Sequence, residues 1–309
     1  MDWSEVIQER LAAVSQVGGD VSEEALRRGW VLPFGEGQYV YGAEWTSLVR
    51  RLQELLLTQA SDHGFREYTF PRLIPSEAAR DFQLSQFNHR LLWNVDDHAR
   101  VLDPVQCLAF YQVLRGRRFS ADDLPLKIVE TLGGWTWRRE RTERLDGLFR
   151  AYEFARVEHV WLGTPEQSQD IRNTLCASLV DLLTSLGLSV RTVVGKPCLP
   201  LQPIEDRTAA ATSADHVPVI DIELLVRPPG SNADTPEGFD EVCGNTIEGD
   251  HHLSSFDIRQ DNGEPLSSGC CGVGLNRVAV AFLYQHGFER SNWPDLIARE
   301  TQATLDYAR

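Results

Sequence analysis

Apolar residues recur along this chain with two different periods, and the change of period marks its elements. Within Glu44–Gln59, Leu48, Leu52 and Leu55/Leu56 fall at helical spacing, which predicts an amphipathic helix. Pro165–Leu186 repeats the pattern with Ile171, Leu175, Leu179 and Leu182, and Gly187 follows as a C-cap signal. Trp3–Val17 and Leu102–Leu114 predict two further helices. Strands are expected where aromatic and β-branched residues gather: Glu67–Phe70, Trp135–Glu140, Arg150–Trp161, Val190–Val194, Val217–Val226 and Glu241–Ile247. These elements mix without alternating regularly. That is the pattern of an α+β fold on an antiparallel sheet, not of a doubly wound one. Lys196–His216, with three prolines and an Ala-Ala-Ala-Thr run, fits neither period and reads as a loop-like insertion. Arg227–Gly238 reads as a turn-rich connector.

Composition narrows the class. A chain of 309 residues can bury one large core or two small ones. No apolar run approaches the ~20 residues needed to cross a bilayer. The start, Met-Asp-Trp-Ser-Glu, is acidic and does not read as a signal peptide. The expected compartment is the cytoplasm, where six cysteines would be free or metal-bound. The net charge of −15 opposes binding a polyanion, and the dense basic run is confined to Arg115–Arg118.

Candidate chemistry concentrates in Trp135–Trp161, WTWRRERTERLDGLFRAYEFARVEHVW. It reads as two antiparallel strands joined by a basic loop. Arg138 offers a planar fork of donors for a phosphate. Glu140 can accept from an exocyclic amine, and Phe154 offers a face for a base. Far downstream, SGCCGVGLNRVAVAFL (Ser268–Leu283) is a small-residue strand running into a helix that carries Arg277. Two arginines on separate elements and an aromatic platform suit a bent nucleoside triphosphate. Arg141 and Arg144, in the basic loop, either touch phosphates or are solvated.

These two stretches resemble motifs 2 and 3 of the class II aminoacyl-tRNA synthetases, and GFREYTFPRLIP (Gly64–Pro75) resembles motif 1. Within that class the sequence is similar to the amino acid:[carrier protein] ligases, truncated relatives of the atypical zinc-dependent seryl-tRNA synthetases. The likeness runs from about Gly37 to Ala298 and is sharpest at FRAYEF…LGTPEQ and DNGEPLSSGCCGVGLNR. It implies a single class II catalytic domain over 1–309. It also implies a catalytic Zn2+ on Cys107, Glu153 and Cys270 that holds the substrate's α-amino group. Glu158 is the competing carboxylate, because strand alternation puts it on the face of Phe154 and Glu153 on the other. It is otherwise a substrate contact, with Asn245 and Gln106. Glu241 resembles the carboxylate that holds ATP-bridging Mg2+.

The implied reaction is ATP-dependent activation of a small amino acid, with Arg138 and Arg277 catalytic. Transfer to the phosphopantetheine thiol of a small acyl carrier protein follows, docked on the 196–216 insertion through Lys196 and Arg207. Motif 1 implies a homodimer. No stretch reads as a tRNA-arm coiled coil or an anticodon domain. Two alternatives remain: an aminoacyl-tRNA synthetase acting with a separate tRNA-binding chain, or a non-catalytic regulatory paralogue. His251 and His252 suit a metal by type, but the resemblance gives them no such role.

Overall fold

A computed structural model of the chain describes residues 2, 4–13, 19–83, 92–97, 99–131, 134–139, 142–196, 202–232, 235 and 237–298. Strands β1 to β3 span Val6–Arg10, Val31–Gly35 and Gln38–Tyr41; β4 to β7 span Arg66–Glu67, Leu73–Pro75, Asn94–Val95 and Arg100–Leu102. Strands β8 to β11 span Arg118–Phe119, Leu126–Glu130, Trp135–Trp137 and Glu153–Gly163. Strands β12 to β16 span Val190–Val194, Val219–Leu225, Phe239–Gly249, Arg259–Gln260 and Ser267–Gly274. Helices α1 to α4 span Val21–Arg27, Ala43–Asp62, Ser76–Asp81 and Cys107–Leu114. Helices α5 to α8 span Pro165–Ser185, Gln202–Ala210, His251–Ser255 and Leu275–His286.

Among the described residues, one large sheet runs in the order β1-β12-β13-β14-β16-β11-β9-β4, with β10 paired to β11. Every pairing in it is antiparallel except the one between β9 and the two-residue edge strand β4. An α+β fold on an antiparallel sheet is therefore what the chain adopts. The alternation of β11 and β16 separates two cores. Val157, Trp161, Cys271 and Val273 face helices α2, α5 and α8, where Trp45, Leu48, Leu52, Leu175, Leu179 and Phe282 are buried. Val160, Leu162 and Cys270 face Phe82, Leu108, Tyr111 and Phe256 on the other side. Each fully buried aliphatic or aromatic side chain contributes about 1.5–3 kcal/mol. The two cores grip the middle strands from both faces and hold them rigid.

The two long helices lie where helical spacing put them. Helix α5 starts at a capping box, in which Thr164 accepts from the Gln167 amide and Gln167 returns a bond to the Thr164 amide. It ends before Gly187, whose φ of +72° favours glycine. Within the expected helix over Trp3–Val17, Val6–Arg10 is instead strand β1, paired antiparallel with β12 at the sheet edge, while Trp3 and 14–17 lie outside the described residues. Sheet pairing and the packing of Ile7 outweigh a weak helical pattern there. Of the 196–216 segment, Gln202–Ala210 is helix α6 and Ala214–His216 a single 3-10 turn, so a sizeable part of it is not loop. The motif 1 segment lies at the sheet's edge, with Tyr68 and Leu73 exposed. No described helix is long and apolar enough to cross a membrane.

Gly269 shows how tightly the central strands are packed. A Cβ there would stand 2.2 Å from the Trp161 indole and 2.6 Å from the Thr246 carbonyl. The indole cannot retreat, because it is fully buried and its Nε1–H donates to Ser168 Oγ at 2.8 Å. Gly269→Ala is expected to destabilise the protein by about 1–3 kcal/mol, the usual cost of overpacking. A lowered urea midpoint at unchanged slope measures this; an unchanged midpoint would show that the indole has room.

Candidate active site

The site forms on the sheet face opposite α2, α5 and α8, from same-face positions of β11 and β16. With a period of two, Phe154, Arg156 and Glu158 point the same way. Glu158 pairs with Gly272 and Val160 with Cys270, which brings Cys270 and Gly272 onto that face. A Cβ at Gly272 would meet the Arg156 guanidinium, so the glycine leaves the space in which that side chain lies. Beside this row a cleft is lined by Arg138, Phe154, Arg156, Glu241, Gly272, Gly274 and Arg277. The guanidiniums of Arg138 and Arg277 lie 5.9 and 5.8 Å from the Phe154 ring centre. Arg138 Nε donates to the Pro104 carbonyl, and Arg277 Nη1 donates to the Glu241 carbonyl. A carbonyl thus holds each cation, and Arg277 Nη1 also forms an ion pair with Glu241 Oε2 at 3.6 Å. Burial alone would raise the Glu241 carboxyl, but Arg277, Arg138, Arg150 and Arg156 outweigh it and hold it below its ordinary value. An ionised carboxylate in a ring of guanidiniums could hold a divalent cation beside a polyphosphate.

One strand repeat further on, Cys107, Glu158 and Cys270 converge. Their ligand atoms lie within 4.8 Å of one another and all three residues are buried; they are the only such group among the described residues. Cys107 opens α4, and the preceding Gln106 takes a φ of +40°. Asp103 fixes that turn by accepting from the Val105 and Gln106 amides. Glu158 forms an ion pair with Arg156 Nε at 2.7 Å, neither of its oxygens has a well-aligned hydrogen bond, and the Cys270 thiol is turned toward it. Burial raises Glu158 to about 7. The thiols hydrogen bond to each other, which lowers Cys107 and raises Cys270; burial and Glu158 then push both up. Two thiols and an orphaned carboxylate are a donor set that suits zinc, whose tetrahedral bonds set ligand atoms about 3.5–4 Å apart. A dication would also reverse the pKa penalties of this cluster.

The expected site residues divide on this geometry. Arg138, Phe154, Arg277 and Glu241 share the cleft, and Cys107 and Cys270 share the cluster. Glu153 does not join them. It pairs with Trp137 across the hairpin, and its carboxylate accepts from Trp137 Nε1 at 2.9 Å. Glu158 takes the place assigned to it. Asn245 pairs with Cys271 on the helix-facing side, and its amide donates to the Arg172 carbonyl, so it does not face the cleft. Gln106 is buried with its amide engaged by Glu130 and Thr136, not free for a substrate. Glu140 and Arg141 lie outside the described residues, and Arg144 is exposed. Arg207 turns inward, donating to the Ile247 carbonyl, so it is not a docking charge.

Sequence reading missed three groups. Arg156 was legible, since it lies midway between Phe154 and Glu158 on their shared face. Glu130, which accepts from the Phe70 amide, Arg72 and Gln106, had no local signal. Asp221 is pushed well up by burial and by Glu241 beside it, and it looked like one of several carboxylates in a β-strand.

The tRNA synthetase class II core domain (G, H, P, S and T) matches residues 92–235. The type-2 serine–tRNA ligase of Methanopyrus kandleri is 32% identical over 318 residues, covering 90% of this chain and 59% of the relative. That of Methanothermobacter thermautotrophicus is 33% identical, covering 92% and 60%. The chain thus spans about three fifths of the length of these curated relatives. Among solved structures, M. kandleri seryl-tRNA synthetase in complex with A. aeolicus tRNASec superposes with a TM-score of 0.87 at 28% identity, covering 99% of this chain and 64% of that one. Pyrococcus horikoshii seryl-tRNA synthetase complexed with ATP shares the fold, with a TM-score of 0.69 at 17% identity, covering 98% and 64%. These findings overturn the carrier-protein ligase reading and its acyl carrier partner. The relatives are named as tRNA ligases, and the first of these two structures holds a tRNA.

The cluster yields a metal-content test. Purified protein is expected to hold about one zinc per chain, the stoichiometry of a three-ligand catalytic site. Cys107→Ala, Glu158→Ala and Cys270→Ala should each lose it, and Glu153→Ala should keep it, by elemental analysis. Zinc retained in Glu158→Ala and lost in Glu153→Ala would return the carboxylate role to Glu153.

Proposed function

We propose, on the premise that this chain carries a class II aminoacyl-tRNA synthetase core, that it activates serine with ATP and passes the seryl group to tRNA. One observation carries the reading: the Arg138–Phe154–Arg277 cleft adjoins the Cys107–Glu158–Cys270 cluster on one face of one sheet. A nucleotide and an amino acid would then lie end to end. The names of the relatives supply serine and tRNA.

In this scheme the adenine stacks on Phe154 and faces Arg277. Arg138 holds the α-phosphate. The serine carboxylate oxygen attacks the α-phosphorus, the bond to the β-phosphate oxygen breaks, and pyrophosphate leaves. Charge on the α-phosphate oxygens grows in the transition state, and Arg138 stabilises it without having to move. Arg277 faces the departing pyrophosphate, and Glu241 would hold magnesium against the phosphates. Cys107, Glu158 and Cys270 would hold zinc, which when bound supplies a Lewis-acid seat for the α-amino group. Arg156 keeps Glu158 oriented toward the thiols. No side chain serves as a nucleophile, so the rate comes from positioning and fixed charge.

Serine-dependent exchange of pyrophosphate into ATP tests the first half. Arg138→Ala and Arg277→Ala are each expected to lower it by about two orders of magnitude, the scale of losing one transition-state charge contact. No exchange with serine in the unmodified protein would refute activation. Incubation with tRNA and labelled serine tests the second half: exchange without any labelled tRNA would refute the acceptor alone.

A further inference from the structure

Along the site face of β16, three stations follow in order. Gly274 and Gly272 lie at the nucleotide end under Arg277 and Arg156, Cys270 is at the cluster, and Ser268 comes last. Same-face residues on a strand are about 6–7 Å apart. Ser268 therefore lies one side-chain length past the thiols, away from the nucleotide. On the proposed reading, the amino acid is pinned at two of its ends, with its carboxylate toward the phosphates and its amine at the cluster. Its side chain then points toward this third station.

Strand β14 supplies the residue found there. Ile247 pairs with Gly269 and Gly249 with Ser268, so Glu248 is an extra residue, a bulge. Bulges re-aim side chains and gather beside active sites. The Glu248 side chain is only 10% exposed, and its Oε2 has no hydrogen-bond partner. The nearest basic atom is His252 Nε2, at 3.7 Å. His252 is fully buried, its ring lies parallel to Phe82 at 3.8 Å, and neither ring nitrogen has a partner. The neighbouring hydroxyls are already engaged. Tyr111 donates to Ser268 Oγ, and Ser268 donates to the Gly249 carbonyl, both at 3.0 Å. Glu248 also acts electrostatically on Cys107, Cys270 and Tyr111, and Arg207 and Glu158 act on it. On β14 it follows two residues after Thr246, the partner of Cys270, and next to Ile247, whose carbonyl accepts from Arg207 of α6, so it lies beside the cluster on the α6 side.

A buried acceptor with no donor costs about 1–3 kcal/mol. Such a group facing a substrate position finds its partner in the substrate. A second metal at Glu248, His251 and His252 does not account for it, because their ligand atoms are not within 4.8 Å of one another as those of the cysteine cluster are.

We propose that Glu248 reads the side chain of the amino acid, accepting a hydrogen bond from serine's hydroxyl and thereby selecting it over alanine and glycine. His252 backs the carboxylate and, with Phe82 and Tyr111, closes the pocket to longer side chains. The inference rests on the activation reading and adds to it the group that sets specificity. Sites that hydrogen bond a substrate hydroxyl reject the analogue lacking it strongly, because the buried partner is left unmatched.

The test is kcat/KM for pyrophosphate exchange with serine, alanine and glycine. The unmodified protein should prefer serine to alanine by on the order of 10²-fold or more. Glu248→Leu, which removes the acceptor at similar size, should bring that ratio to within a few-fold of unity, and alanine should lose far less than serine. Glu248→Gln keeps an acceptor oxygen and should keep most of the preference. Equal losses for serine and alanine in Glu248→Leu, or an unchanged ratio, would overturn the proposal. If Glu248→Leu does not fold, the unmodified protein still decides: equal use of serine and alanine overturns the specificity claim while leaving activation standing. No exchange with any of the three sinks activation itself, and this inference with it.

Discussion

The antiparallel pairing of β11 with β16 is the constraint on which the site depends. It sets Glu158 opposite Gly272 and Val160 opposite Cys270, so one register fixes both the nucleotide row and the thiol cluster. A slip of one residue would move every side chain in the row to the helix face. Two buried layers prevent that slip. On one face Trp161 is clamped by Ser168 and by the space that Gly269 leaves. On the other, Val160 and Leu162 pack against α4, the helix that presents Cys107. Packing and chemistry are thus coupled: the contacts that stabilise the sheet also bring the two thiols together.

Strong periodicity made the main helices and the hairpin legible. It also contained the choice between Glu153 and Glu158, since alternation from Phe154 already favoured Glu158, and only the resemblance pointed the other way. What alternation could not supply was the bulges. Strand β14 carries two irregularities, one opposite Ile222/Glu223 and one at Glu248. Simple alternation puts Glu241, Cys243 and Asn245 on one face. The first bulge adds Val242, so Glu241 stays with the cleft while Cys243 and Asn245 turn to the helices. No residue in Glu-Val-Cys-Gly-Asn announces this. The partners of buried polar groups were equally illegible. Glu130 draws on Phe70, Arg72 and Gln106, from segments up to 60 residues away.

These long-range carboxylates explain how motif 1 reaches the site without contributing a residue to it. Arg72 follows the motif's proline and bridges Glu130 and Asp103. Asp103, raised to about 6 by burial despite Arg72, shapes the turn that sets Cys107. Glu130 holds the Gln106 amide in the same turn. Removing one partner of such a buried network leaves the others uncompensated, typically at several kcal/mol. The edge strand is therefore tied to the position of a thiol through three charged side chains and one amide.

Charge has to be read at the same local scale. The chain carries −15 overall, yet Arg138, Arg150, Arg156 and Arg277 together outweigh the partial burial of Glu241. Screening over about 8 Å at physiological salt makes the groups around a ligand matter more than the total. By the same measure, the basic run that stood out in the sequence is not a free cationic patch. Arg115 pairs with Asp81 and Arg118 with Asp257, at 2.7 and 3.0 Å. Two of its three charges are thus paired at its own surface. The cations placed for phosphate chemistry are Arg138 and Arg277, held by carbonyls at Pro104 and Glu241 with their forks turned to the cleft, although Arg277 also stands 3.6 Å from the Glu241 carboxylate. A carbonyl anchors a guanidinium without neutralising it, whereas a carboxylate does both. Arg138, Arg156 and Arg277 line the cleft against the single carboxylate of Glu241, which leaves it the positive balance that the proposed polyphosphate would need.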